Sequence, residues 1–587
     1  MKKKSRVICC ILAFLILIQS QNVYAAQSEF PSGISYDQLE NEIEQYVDEH
    51  EQTTAGMAVA VFDTSEELLK KYYGFTDVEN KIPVNEESVF EWGSATKLLV
   101  WVSVMQLYEQ GRIDLNEDIC TYLPEGFMKN LSYDTPVTMI NLMNHDAGFQ
   151  EDYVDVFVKD ADVFENLEEA LKAHEPKQIY EPGTVTAYSN WGVALAGYIV
   201  EQVSGLKFSE YVHRYIFEPL GMEHSAVSAD LSDNVWVQEK RKELQCYTTE
   251  GELIPDCFYY ITLYPAGMCT STLNDFETFA RALLDENTIL FQKPETWQQL
   301  FTPTSYFGES EIPLNYHGFW MVPFGVQTIG HGGNTAGCSS YLLLDIENGI
   351  GAVVMTNQAY ETVYNTEMME LIFGQYDRSD YTEENEIPSG IYRIARTVRK
   401  GPFKFLSLSY SIDEVDEQEL WIAENESGLQ KIVYSYGDYV KVPTYTFIGE
   451  MSLFILWTIA ILFSMVSLVI RAMGKVIQNV KKESRRKTEL SRWSAIAAVL
   501  QLAAFVMLIM IIGNVSNYSL GNTYAWMFAV IGIIAIVMCI MCWYGLKKNR
   551  KAELKTYQKV FHYVTIACMM ITIVNIVYWD LFMFWGV

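Results

Sequence analysis

The sequence predicts an exported globular part with both helical and strand signals, followed by a small β-rich module and a polytopic helical membrane domain. Three observations predict it: a basic-then-apolar N-terminus, strand-like alternation over residues 376–446, and four long apolar segments after residue 447. At 587 residues the chain exceeds one ordinary domain, so its compartments are read separately.

Residues 1–26, within MKKKSRVICCILAFLILIQSQNVYAAQ, have a basic start, a short apolar core and small residues at Val23 and Ala25 in the A-x-A manner. This reads as a cleaved secretory signal; a retained anchor is the alternative, against which the apolar core is short for a span. Cys9 and Cys10 precede that core instead of following it, which argues against a lipoprotein anchor.

In FEWGSATKLLVWVSVMQL, Gly93 permits a tight turn and Ser94 and Lys97 stand three residues apart, which in a helix puts both side chains on one face. The apolar run that follows predicts a buried helix. Desolvation and the positive helix N-terminus both lower the pKa of a lysine there, so Lys97 can take the proton of Ser94 and make it a nucleophile. The alternative is a serine cap with a lysine that reaches out to solvent. EPGTVTAYSNWGVALAGYIV opens on a Pro-Gly turn and presents Tyr188, Ser189 and Asn190 ahead of a helix rich in small and apolar residues. Tyr188 can relay the proton of Ser94, and Asn190 can orient Lys97 or hold a substrate amide; the plain alternative is a core tyrosine with an asparagine cap. TIGHGGNTAGCSSYLLLDIENGIGAVVMTNQ reads as a β-hairpin about the turn ENG, with His331, Gly332 and Gly333 opening its first strand, where paired glycines admit a substrate backbone.

In this order, SATK, YSN and HGG resemble the penicillin-recognising serine hydrolases, in the branch that contains class C β-lactamases, D-aminopeptidases, related esterases and low-molecular-weight penicillin-binding proteins. VTMINLMNHDAGF, IFEPLGMEHS and YPAGMCTSTLNDFETFARALL are similar to further segments of that branch. The resemblance implies a β-lactamase-like α/β (α+β) fold over residues 34–375, an antiparallel sheet covered by helices beside an all-helical lobe, working through an acyl-enzyme. It makes Ser94 the nucleophile, with Lys97 and Tyr188 managing its proton. Asn190, His331, Gly332, Gly333 and Asn334 then bind substrate, and the backbone N–H groups of Ser94 and Asn334 form the oxyanion hole. His145, Gly148 and Pro219 match too and read as structural. No G-x-S-x-G elbow is present, which argues against an α/β-hydrolase.

His331 stands where many relatives have lysine, a replacement common among peptidases and esterases of the branch. It is either a carboxylate anchor that is charged in part near neutral pH or a neutral imidazole that hydrogen-bonds Tyr188 or Ser94. Some relatives that remove D-amino-acid caps from exported peptide prodrugs also have a membrane-helical tail.

Residues 376–446, including IPSGIYRIARTVRK and ELWIAENESGLQKIVYSYGDYVKV, alternate as strands do. DEVDEQE lacks the glycine and spacing of a calcium loop and reads as a solvated turn. Beyond them, residues 447–587 hold four segments long enough to cross a bilayer, at 447–470, 493–513, 523–545 and 560–582. The loops after the first and third are basic and the one between the second and third is uncharged, which places the basic loops in the cytoplasm and residues 27–446 outside. Asp580, near an end, is the acidic residue that stands out within a span, which weakens a transport role.

Of 42 Lys and Arg, four fall in the leader and 14 in the membrane part, leaving 24 outside against 69 Asp and Glu. Such an acidic surface excludes nucleic-acid partners and repels anionic headgroups. Five exported cysteines (Cys120, Cys246, Cys257, Cys269 and Cys338) make an odd, widely spaced set, so no disulfide framework is expected. Cys539 and Cys542 lie in an apolar helix and read as packing. The eight histidines form no HExxH and no zinc-like cluster, so neither metal nor cofactor is called for. The reading is a membrane-anchored extracytoplasmic serine hydrolase acting on small peptides, cell-wall-like or with D-residues, with lipid around its C-terminal helices; it sets no oligomeric state. The alternatives are an esterase or β-lactamase of the same kind, or an idle ligand sensor signalling through its helices.

Overall fold

The computed structural model describes residues 29–150, 157–161, 166–377, 379, 389–408, 410–412, 421–426, 429–480, 489–515 and 522–584. The leader and DEVDEQE lie outside the described residues.

A nine-stranded antiparallel sheet organises the larger part: β1 (Gly56–Asp63), β2 (Glu67–Asp77), β3 (Ile82–Pro83), β4 (Ser305–Tyr306), β5 (Pro313–Tyr316), β6 (Phe319–Pro323), β7 (Gln327–Asn334), β8 (Ser339–Asp345) and β9 (Ile350–Thr356). Its order is β3-β2-β1-β9-β8-β7-β6-β5-β4, so the N-terminal strands close against the last hairpin. The central strands β1 and β9 are apolar on both faces because both faces are covered. Met57, Val59 and Val61 pack with Leu39, Ile43 and Val47 of helix α1 (Leu39–Glu49), an i, i+4, i+8 stripe. Ala58, Ala60 and Phe62, one residue out of phase, face the main core with helices α2 (Lys97–Glu109), α3 (Asn190–Ser204) and α4 (Leu273–Leu284). Helix α2 is buried at every residue from Lys97 to Leu107, as an all-apolar surface requires. This is a β-lactamase-like fold.

Two expectations change. The glycine-rich HGG stretch does not open the strand that leads into the ENG turn. It lies in its own strand, β7, paired with β8 through His331–Leu342 and Asn334–Ser339. The turn between them is closed by Thr335, whose N–H donates to Cys338 O at 2.8 Å and whose Oγ1 accepts from Cys338 N, and NTAGC carries no hairpin dipeptide to announce it. Second, Cys246 and Cys257 are bridged, with Cα atoms 6.2 Å apart. The antiparallel bridge Tyr247–Leu253 and the turn at Gly251 bring them together, a closeness that spacing alone does not show.

The β-rich module is a five-stranded sheet of β10 (Ile391–Ile394), β11 (Ser411–Ile412), β12 (Trp421–Glu426), β13 (Leu429–Tyr434) and β14 (Tyr439–Lys441), in the order β11-β10-β14-β13-β12. Four helices follow, α5 (Thr444–Val480), α6 (Glu489–Val515), α7 (Asn522–Lys551) and α8 (Thr556–Tyr578), each long and apolar enough to cross a membrane. Asp580 falls just past α8. Glu450, inside the first of these helices, is the acidic residue that matters: it is buried and takes hydrogen bonds from Arg393 Nη2 at 2.6 Å, Tyr578 Oη at 2.8 Å and Tyr410. Sequence reading passed over it because one acid does little to an apolar window. This cluster ties the module to the start of α5 and the end of α8, which therefore lie at the same end of the bundle.

Near the sheet, Arg241 Nε donates to Glu91 Oε1 at 2.7 Å and its Nη2 to Tyr259 O at 2.7 Å, with both charged side chains buried. Removing one partner strands the other. Arg241→Ala is expected to cost about 3–5 kcal/mol in chemical unfolding of the detergent-solubilised chain, whereas replacing both with apolar residues of similar volume should cost far less. Equal losses for the single and double variants would contradict this.

Candidate active site

The nucleophile candidate sits at a junction built by the main chain. Gly93–Thr96 form a single 3₁₀ turn that runs into α2, and three residues per 3₁₀ turn eclipse Ser94 with Lys97. Lys97 Nζ donates to Ser94 Oγ at 2.9 Å and to Ala266 O at 2.6 Å. The lysine is fully buried and does not reach out to solvent. The turn itself is pinned: Trp92 N–H donates to Cys269 O, Thr96 Oγ1 donates to Gly93 O, and Ser340 Oγ donates to Trp92 O at 2.8 Å.

Strand β7 passes directly against this turn, and two glycines make that possible. A Cβ on Gly333 would fall 1.8 Å from Trp92 O and 2.9 Å from Ser94 N; one on Gly93, at φ +53°, would fall 2.7 Å from Asn334 N. The backbone amides of Ser94 and Asn334 are thus brought side by side at the edge of the site.

Tyr188 and Asn190 arrive at the start of α3. Ser189 caps that helix, its Oγ accepting from Gly192 N at 3.0 Å, so the cap is serine and not asparagine. Asn190 has no side-chain hydrogen bond to another described residue and lines the cavity. Lys97 Nζ lies 4.9 Å from the Tyr188 ring centroid. His145 stacks on Tyr188 at 4.4 Å and on Trp320 at 5.5 Å, and its Nδ1 accepts from Ser189 N, fixing the YSN loop.

Ser94, Tyr188, Asn190, His331, Gly332, Gly333 and Asn334 all line one cavity of about 450 Å³, with Lys97 beneath it. His331 is buried, and its Nδ1 is 2.6 Å from Gly332 O, which makes Nδ1 the protonated nitrogen. Burial first, then the positive Lys97, push this imidazole down to about 3. It is held neutral at physiological pH, which argues against the carboxylate-anchor role, and it does not hydrogen-bond Tyr188 or Ser94 either: Nδ1 is turned to Gly332 O and Nε2 has no hydrogen-bond partner among the described residues.

The Beta-lactamase family matches residues 39–376, more than half of the chain. The chain belongs to the beta-lactamase family. Protein flp of Staphylococcus aureus (strain N315) is 22% identical to it over 318 residues, 52% of this chain and 60% of that protein. Penicillin-binding protein 4* of Bacillus subtilis (strain 168) is 24% identical over 326 residues, 52% of this chain and 70% of that one. The chain thus spans less than two thirds of the staphylococcal relative. Among solved structures, the octameric penicillin-binding protein homologue from Pyrococcus abyssi has a TM-score of 0.48 at 20% identity, over 69% of this chain and 99% of that chain. D-amino acid amidase from Ochrobactrum anthropi SV3 has 0.47 at 23%, over 57% and 97%.

Two cavity residues lie beyond the family match and were not singled out from sequence. Arg396, in the loop after β10, has its guanidinium 4.9 Å from the Tyr188 ring centroid, and Tyr436, in the β13–β14 turn, packs at 5.0 Å on Trp320 and 6.0 Å on Tyr188. Tyr436 O accepts from Tyr188 N at 3.2 Å, and Tyr436 itself is held at φ +68°, a conformation costly for a bulky residue. A non-glycine residue in a tight tyrosine-glycine turn, YSYGDY, is the one sequence signal that pointed there.

His331 gives a pH signature. Above about pH 6.5 it is neutral both folded and unfolded; below that the unfolded chain takes up a proton that the folded chain refuses until about pH 3, so stability falls as pH falls. Between pH 7 and pH 5 the parent chain is expected to lose about 2 kcal/mol more unfolding free energy than His331→Asn. Identical losses would show that the imidazole is not held neutral.

Proposed function

We propose that the protein is a membrane-anchored serine hydrolase that works outside the cytoplasm through a Ser94 acyl-enzyme, on peptides of cell-wall-like or D-residue-containing character. The observation that carries this reading is the direct Lys97–Ser94 hydrogen bond at the floor of an open cavity. In its neutral form the Lys97 amine, at that distance, turns its lone pair to the Ser94 hydroxyl and accepts its proton as Oγ attacks a carbonyl carbon. The oxyanion that develops meets the adjacent amides of Ser94 and Asn334. Tyr188, beside Lys97, gives its phenol proton to the leaving nitrogen or oxygen as that bond breaks and takes the proton from Lys97 in its place, and water then releases the acyl group by the reverse route. Asn190 and the HGG edge hold the substrate backbone.

The peptide preference draws on the names of the relatives, which include penicillin-binding proteins and a D-amino acid amidase. Histidine in place of lysine in the third motif favours peptidase or esterase over β-lactamase. The placement outside the cytoplasm draws on the leader and the basic loops; the shared end of α5 and α8 beside the module fits an even number of crossings. An esterase using the same residues would turn over short-chain esters and leave D-residue amides intact.

A fluorophosphonate probe on the detergent-solubilised full chain is expected to add to Ser94, as read by peptide mass spectrometry. Ser94→Ala should lose the adduct, and Lys97→Ala should slow its formation by about a hundredfold or more. No adduct on the parent chain would sink the acyl-enzyme reading in favour of a ligand sensor.

A further inference from the structure

We infer that the Cys246–Cys257 disulfide is a positioning element of the active site: it backs the turn that follows Asn334 and so holds the Asn334 amide where the oxyanion forms. This rests on the Ser94 acyl-enzyme reading and adds to it two residues that lie outside its three motifs.

The bridge is buried and lies directly against main chain. A Cβ on Gly337 would fall 2.3 Å from Cys246 Sγ, 2.7 Å from Cys246 Cβ and 3.2 Å from Cys257 Cβ, so no side chain fits between that glycine and the bridge. Gly337 belongs to the turn of residues 335–338, and Asn334 is the residue just before it. Thr335 Oγ1 accepts from Gly337 N at 3.3 Å and from Cys338 N at 3.0 Å, and Thr335 N donates to Cys338 O at 2.8 Å. These bonds close the turn on itself, and the disulfide is what its Gly337 side rests against. Close main-chain contacts with the Ser94 turn hold β7 up to Asn334; the bridge supplies the backing beyond it.

The two cysteines are anchored differently. Cys246 stands at the end of the large sheet, just past β9: Gln245 N donates to Thr76 O at 2.8 Å, Tyr247 N to Asn357 O at 2.9 Å, and Ala359 N to Tyr247 O at 3.0 Å. Cys257 opens the segment that walls the cavity. Lys159 Nζ donates to Phe258 O at 2.9 Å and Arg241 Nη2 to Tyr259 O at 2.7 Å, and Tyr260–Ile261 then pair with Phe157–Val158, where Phe157 and Ile261 line the cavity. The disulfide thus joins the sheet to the cavity wall behind the turn, and a covalent link cannot recede as two separate side chains can. Amides stabilise an oxyanion only when they stand about 2.7–3.1 Å from where it forms, so a backing that fixes the turn bears on rate. In the proposed placement outside the cytoplasm such a bridge persists.

Labelling of Ser94 by a fluorophosphonate and by its P=S counterpart tests this on the detergent-solubilised full chain. As Ser94 Oγ bonds to phosphorus and fluoride leaves, the phosphoryl oxygen takes up charge in the oxyanion site, whereas sulfur, larger and a weaker acceptor, draws less from the two amides. The Cys246→Ala/Cys257→Ala chain is expected to lose about 10- to 100-fold in limiting labelling rate with the P=O probe at a little-changed half-saturating concentration, and its preference for P=O over P=S should shrink by a similar factor. Labelling as fast as in the parent overturns the proposal. So does equal slowing of both probes with their ratio kept, since that is the signature of a bridge that only supports the fold, and so does a parent whose P=O preference does not exceed that of the probes toward hydroxide. Should the double variant fail to fold, Gly337→Ala decides with the bridge intact: its Cβ has to displace the turn, so the P=O preference is expected to fall in the same way, and an unchanged preference overturns the proposal. Absence of any adduct on the parent chain is a separate result, which removes the acyl-enzyme reading and this proposal with it.

Discussion

The hydrogen bond between Lys97 Nζ and Ser94 Oγ is the contact on which the rest of the structure depends. It requires a lysine at the mouth of a helix with no solvent-exposed face, and a long, flexible side chain would leave that position for water if a path existed. None is offered: α2 is buried from Lys97 to Leu107, and Ala266 O accepts a second Nζ hydrogen. The large core, the fully covered sheet and the glycines that let β7 press on the Gly93 turn all serve to hold one polar pair in register, with its lysine buried and its serine at the cavity floor. Core volume here sets chemistry as well as stability, because a displacement of about 1 Å at such a pair can cost two orders of magnitude in rate.

The family fold alone does not complete the site. Tyr436 and Arg396 enter from a module that follows the matched region, and the backbone bond from Tyr188 N to Tyr436 O splices the module's turn onto the loop that carries the candidate proton relay. The same module reaches the helical bundle through Arg393, Tyr410 and Glu450, and through Lys404, whose Nζ donates to Tyr578 O at 2.8 Å. One small sheet therefore joins the candidate active-site cavity to the helices, and its strained turn at Tyr436 lines that cavity.

What sequence could show followed from local geometry. SATK was legible because a spacing of three is itself a contact in a helical turn, and the four apolar segments because length and composition decide a span. YSN was legible as a pair, although its cap proved to be Ser189. Arg396 and Tyr436 were hidden because their neighbour Tyr188 lies more than two hundred residues earlier, and no periodicity spans that distance. The Cys246–Cys257 bridge and the separate HGG strand were hidden for a related reason: each depends on a turn without the usual Asn-Gly or Asp-Gly chemistry. The role of His331 was undecidable from its type, since burial, which fixes its charge, belongs to the packing.

The most direct measurement of the central claim is rapid acid quench of the full chain during turnover of an activated D-residue ester, with intact-mass and peptide analysis of the quenched protein. A burst of product equal to the enzyme present, with the acyl group found on Ser94, is the expected result. Steady turnover without a burst and without any acylated peptide, or an acyl group on another residue, would contradict the account.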